Sequence, residues 1–230
     1  ADRQRKDRIM TTVRLARRLL PALALLLLAG HASAAPEDFD AELRAIQTEW
    51  ARINYEVQGS DAKVAAFEKL AARAAAFSAR NPQRAEPLVW EGIVLSTEAG
   101  AKGGLGALSL AKASRDRLER SLALDPTALA GSAHSSLGTL YHKVPGFPVG
   151  FGSDKKAAEH LREALRLNPD GIDPNYFYAE LLYDDDRYAE AARHLQKALK
   201  APPRPGRETA DLGRRREVEQ LLAKVQAERD

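Results

Sequence analysis

Three clusters in this 230-residue chain have residue types and spacings that could support chemistry. The first is Gly103-Gly104-Leu105-Gly106. A phosphate loop of the Walker type must end in Gly-Lys-Ser/Thr, and a dinucleotide fingerprint needs a third glycine after a strand. Ser109 stands where that third glycine belongs, so a turn with positive φ explains the glycines better than a phosphate cradle. The second cluster is the histidines beyond residue 34: His134, His142, His160 and His194. His134 and His142 are separated by about 80° around a helix, and zinc requires three or four convergent ligands. The third is Asp184-Asp185-Asp186, which lacks the alternating oxygens, central glycine and distal Glu of a calcium loop. No Gly-x-Ser-x-Gly elbow is present, and no carboxylate pair stands out among the 32 acids. The chain has no cysteine, which removes disulfides, thiolate zinc sites, a Cys nucleophile and a lipidated Cys. The residues therefore imply no catalytic centre, no metal and no cofactor.

Aromatic residues give a better candidate. Tyr176, Phe177, Tyr178 and Tyr183 crowd one short segment and cannot all face a core. Phe147 and Phe151 sit among Pro145, Gly146, Pro148, Gly150 and Gly152. Either these rings fasten a long loop to the body, or they present contact area to a partner. The candidate surface is Tyr141, Phe147, Phe151, Tyr176 and Tyr178, with Asp184 and Asp185 beside it.

Helices must position these groups. After Ala35 apolar residues recur at three- and four-residue spacing, with no convincing alternation of the strand type. The pattern predicts helices near 37–57, 61–80, 84–98, 105–124, 127–142, 154–167, 174–185, 187–200 and 208–228. Asn81-Pro82, Asp125-Pro126 and Asp173-Pro174 each combine a capping side chain with a proline suited to a first turn. Between the helices, STEAGAKGGLGALS and KVPGFPVGFGSD read as long glycine-rich insertions on one edge.

The helices repeat. AAEHLREALRLNP at 157–169 and AARHLQKALKAPP at 191–203 agree at seven of thirteen positions with an offset of 34. Ala157, Leu161 and Ala164 correspond to Ala191, Leu195 and Ala198, and a weaker copy runs through Ser114, Leu118 and Ser121. Small residues allow close helix approach while leucines fill the groove. Gly92 and Gly138 occupy matching places in the partner helices. A 34-residue period with this small–large–small–proline order resembles the tetratricopeptide repeat (TPR). The resemblance is good over Leu88–Pro203 and weak over 37–82. It implies an all-α, right-handed α-solenoid of antiparallel helix pairs: 37–80, 84–124, 127–167 and 174–200, with a cap at 208–228. In the cap, Val218, Leu221, Leu222 and Val225 form the inward stripe and Arg216, Gln220 and Lys224 stay in water. The long insertions are similar, more loosely, to secreted TPR proteins of the TRAP-transporter T-component type, some of which form homo-oligomers.

The beginning of the chain reads as an address. From Met10, Arg14, Arg17 and Arg18 precede an apolar run from Leu19 to Ala29 and then Ala32-Ser33-Ala34. This is the pattern of a cleavable signal peptide, with cleavage between Ala34 and Ala35, and residues 1–9 look like an overextended start. The apolar run, interrupted by Pro21, is too short to span a membrane. Residues 1–34 hold seven of the 35 basic residues and two of the 32 acidic ones, leaving 28 and 30 beyond them. The exported part is thus slightly acidic and lacks the excess a nucleic-acid binder needs. These features favour a periplasmic, non-enzymatic scaffold that binds an envelope protein through its concave first-helix face and loop edge. The alternative is a ligand-binding accessory protein of a TRAP-type transport system, which a closed pocket lined by Tyr141, Phe147, Phe151 and Tyr178 would favour.

Overall fold

The computed structural model describes residues 36–229, and the expected signal peptide and its cleavage site lie outside them. The described residues form nine helices. They are α1 (Pro36–Glu56), α2 (Ser60–Arg80), α3 (Ala85–Lys102), α4 (Gly104–Leu124), α5 (Ala128–Lys143), α6 (Asp154–Leu167), α7 (Ile172–Asp184), α8 (Tyr188–Leu199) and α9 (Glu208–Ala227). Consecutive helices pack as four pairs with α9 against the last, a solenoid of the kind the repeat implies.

One contact sets the spacing within the pairs. A Cβ on Gly138 would lie 2.5 Å from Leu161 Cγ, and one on Gly92 would lie 2.6 Å from Leu118 Cγ. The missing side chains let α5 receive the leucine of α6, and α3 that of α4. Ala157 and Ala164 flank Leu161 and are fully buried, as are Ala191 and Ala198 around Leu195. In the weaker copy serines take the small positions, and Ser114 Oγ donates to the Gly92 carbonyl at 2.7 Å, which satisfies a buried hydroxyl.

Three features differ from the sequence pattern. The insertion STEAGAKGGLGALS is not a loop: α3 runs to Lys102, Gly103 turns the chain at φ +64°, and α4 begins at Gly104. The added turns persist because they have partners. Thr97 accepts from Trp50 Nε1 at 2.9 Å, and Lys102 pairs with Glu68 of α2 at 3.2 Å. The proposed caps also act differently. Asn81 Nδ2 donates to the Phe77 carbonyl and closes α2 rather than opening α3. Asp125 forms a turn with Thr127, and Asp173 lies inside α7, bound to two arginines. Finally, α5 opens with Leu129, Ala130 and Gly131 all left-handed, at φ 50°, 53° and 77°. A left-handed residue with a Cβ costs about 1–2 kcal/mol, so packing must hold this turn in place. Gly131 lies against Leu167, leaving no room for a side chain.

The last helix does more than end the array. Val218, Leu221 and Val225 are buried against α7 and α8, while Arg216, Gln220 and Lys224 are exposed. The first half of α9 reaches back to α1. Ala210 joins the core of Phe39, Ile46 and Trp50, and Gly213 sits against the Tyr55 ring. The chain thereby folds its last helix onto its first, across the face that the first helices of the pairs present.

The glycine contact predicts a sign. An exposed helical glycine gains stability on substitution by alanine, by about 0.5–1 kcal/mol. Gly138→Ala is expected to lose about 1–3 kcal/mol through overpacking against Leu161, measured by urea unfolding. A stabilised variant would show that this contact does not set the spacing.

Candidate functional site

Among the described residues, a central cavity and a protruding loop are placed to meet another molecule. The cavity measures about 620 Å³ and lies on the first-helix face, bounded by α1, α3, α5, α7 and the returning α9. Its walls carry Trp50, Tyr55, Trp90, Ile93 and Phe177 as apolar surface, with Ser96, Thr97, Ser132, Ser136 and Thr139 as hydroxyls. Trp50 and Trp90 are the only tryptophans in the chain. They meet edge to face at 5.9 Å between ring centroids.

An ion network holds the α9 side shut. Asp173 Oδ2 accepts from Arg204 Nη1 at 2.6 Å and Asp173 Oδ1 from Arg214 Nε at 2.8 Å. Arg204 also binds Asp211, and Arg214 also binds Glu217 at 2.6 Å. Burial disfavours the Asp173 carboxylate, but the two guanidiniums win and hold it well below the usual carboxylate range. Glu217 goes the other way, because burial outweighs its arginine. The Tyr55 hydroxyl reaches Glu217 at 3.4 Å, and burial pushes it up to about 12. Arg214 also lies over the Tyr176 and Phe177 rings, 4.6 and 4.5 Å from their centroids.

The loop 144–152 leaves the end of α5 and returns to α6. It is pinned by its own backbone. Gly152 N–H donates to the Pro145 carbonyl at 2.9 Å and Ser153 N–H to that of Tyr141 at 2.8 Å. Strands of loop this close require Gly152, since a Cβ there would collide with the Val144 carbonyl. Phe151 turns inward, edge on to Tyr141 at 5.6 Å and under the Arg115 guanidinium. Phe147 turns outward and is 93% exposed, with Val149 67% exposed beside it.

The candidate residues from the sequence therefore divide. Tyr141 is buried, stacked on His160 with its hydroxyl 3.2 Å from Glu119. Tyr178 packs on His194 and Tyr176 on Arg214, on different sides of α7. Asp184 binds His142 Nε2 at 2.7 Å and so sits at the base of the loop, while Asp185 is exposed. Tyr141 and Phe151 pack on each other, Tyr178 packs on His194 and Phe147 points into solvent; none of the four lines the cavity. Of the residues that line it, Phe177, Asp173 and Pro174 stand out in the sequence but the two tryptophans do not, although each tryptophan falls in the first helix of a pair. Among the described residues no group of three or more His, Asp or Glu could hold a metal ion. No helix among them is long and apolar enough to cross a membrane.

Residues 155–207, spanning α6 to the linker before α9, match the tetratricopeptide repeat family model. This segment is similar to a tetratricopeptide repeat. A thermophilic TPR protein of Thermus thermophilus shares the fold, with a TM-score of 0.53 and 18% identity over 80% of this chain and 99% of that one. The pilF protein of Pseudomonas aeruginosa aligns with a TM-score of 0.36 and 15% identity, over 82% of this chain and 89% of its own. No curated protein matches the sequence.

The TPR register explains the histidines. His160 and His194 are equivalent in the second helices, and each bonds an equivalent position in its first helix. His160 Nδ1 lies 3.0 Å from His134 Nδ1, and His194 Nδ1 lies 2.9 Å from Asn175 Oδ1. Burial lowers all three histidines, and His134 lowers His160 further. A folded value below the unfolded 6.5 means that the unfolded chain takes up protons first as pH falls. Stability is thus complete above about pH 6.5 and declines below it. His134→Asn supplies this pair with the amide that Asn175 gives its own, so the slope of melting temperature against pH below 6.5 should become shallower. An unchanged slope would place the sensitivity elsewhere.

Proposed function

We propose that this protein is an exported, non-catalytic TPR scaffold that docks a protein partner in the cell envelope through the edge carrying loop 144–152. One observation carries the reading. Phe147 and Val149 stand in water at 93% and 67% exposure on a loop whose own backbone bonds fix it. A large apolar side chain held rigidly in solvent loses little conformational entropy on docking, the property of an interface anchor. The acidic turn at Asp184–Asp186 borders this edge and gives it a polar rim.

Export rests on the basic, apolar and small-residue order of residues 10–34, and the periplasm is the compartment this reading assigns. The TPR fold supports protein binding as the general activity. Membership in a TRAP-type transport system is the second reading. The central cavity favours it, since an accessory protein of that kind needs a place for a small ligand.

The test is affinity capture of the tagged protein from envelope extract after mild cross-linking, with the Phe147→Ser/Val149→Ser double variant in parallel. Loss of an aromatic anchor typically costs about 2 kcal/mol or more, so recovery of a directly docked partner should fall at least about tenfold. Equal recovery by the variant, or no partner enriched by either protein, would contradict this docking edge.

A further inference from the structure

Two side chains that line the central cavity carry buried donors without acceptors. Trp90 is 4% exposed, and its Nε1–H is buried with no hydrogen-bond partner among the described residues. Arg207 Nε is buried and likewise unpartnered, and its guanidinium makes no ion pair with the described residues. The two belong to one stretch of wall, because the Arg207 guanidinium lies 4.9 Å over the Trp90 ring. Other polar groups nearby are accounted for. Trp50 Nε1 bonds Thr97, and Arg204 and Arg214 are taken up by Asp173, Asp211 and Glu217. Buried donors are almost always satisfied, and the exceptions point to a missing acceptor.

We propose that the cavity binds a small organic anion, with a flat apolar body against Trp50, Trp90 and Tyr55 and one carboxylate or comparable oxyanion accepting from Arg207 and Trp90. The volume of about 620 Å³ falls within the range of small-molecule sites, about 300–1,000 Å³, and exceeds what a lone inorganic anion fills. Aromatic walls favour a flat apolar body, while the unsatisfied donors select acceptors and negative charge. Burial and the neighbouring Arg204 work against the Arg207 charge more than Asp173 and Asp211 support it, so an anion placed beside this arginine adds to that support. The first turn of α5 contributes to the same wall through Leu129 and Ala130, whose left-handed backbone fixes the cavity floor before any ligand arrives. This inference stands on the cavity and is independent of the loop edge, of any protein partner and of a transport system.

The probe is 8-anilinonaphthalene-1-sulfonate, an aromatic sulfonate, compared with the neutral N-phenyl-1-naphthylamine. Because the only two tryptophans line the cavity, energy transfer from tryptophan to the dye reports occupancy there. Saturable transfer is expected for the sulfonate in the protein as it exists. Arg207→Met should weaken the sulfonate at least tenfold and the neutral dye less than twofold. Trp90→Phe keeps the ring, removes the second donor and should weaken the sulfonate severalfold; it decides the matter if Arg207→Met does not fold. Phe147→Ser/Val149→Ser should leave sulfonate binding unchanged, which separates the cavity from the exposed loop tip. Absence of saturable transfer would overturn the proposal. So would equal affinities in the folded Arg207→Met protein and the parent, or loss of binding with the loop variant.

Discussion

Asp173 lies between Arg204 and Arg214, and this shared carboxylate ties the last helix across the face made by the first helices of the repeats. Without it, three arginines and two acids would remain at the mouth of the cavity with an uncompensated charge. A buried ion pair is often no better for stability than apolar packing, but breaking one is costly because the remaining charge is stranded. What this network supplies is position. It places Gly213 on Tyr55 and Ala210 among Phe39, Ile46 and Trp50, so α9 touches both ends of the array. The cavity, its two tryptophans and Arg207 all depend on that placement.

A solenoid left open at its ends offers a groove along its inner face. Here the return of α9 converts part of that groove into a cavity, and the outward-facing anchors move to the edge, on loop 144–152. The two candidate sites therefore suit different ligands. A rigid apolar tip in solvent suits a macromolecular surface, whereas a cavity with buried donors and aromatic walls suits a small molecule. Both are built on helices whose spacing is fixed by the same contact, a glycine or alanine facing a buried leucine in the pair.

Much of the fold was legible in the sequence because its signals are local. The spacing of apolar residues located every helix to within a few positions, and the 157–169 and 191–203 segments revealed the repeat. Glycine misled at the first insertion: Gly100 reads as punctuation, yet it lies inside α3, whose extension is held by Trp50 and Glu68. Asp173-Pro174 has the form of a helix start, but arginines 31 and 41 residues later claim the carboxylate. The cavity was not legible for the same reason. Trp50, Trp90 and Arg207 share no local pattern; only the path of the whole array brings them together. Of the loop aromatics, the backbone register of a single hydrogen-bonded loop decides that Phe151 faces inward and Phe147 outward.

The return of α9 onto α1 is the central claim, and the absence of native cysteine makes it directly measurable. Spin labels on single cysteines at the exposed positions Glu56 and Gln220 would report the distance between the two helices. One narrow distribution is expected in the parent protein, broadening in Asp173→Asn as Arg204 and Arg214 lose their shared anchor. A distribution that is broad in the parent and unchanged by the substitution would mean that α9 does not close the array.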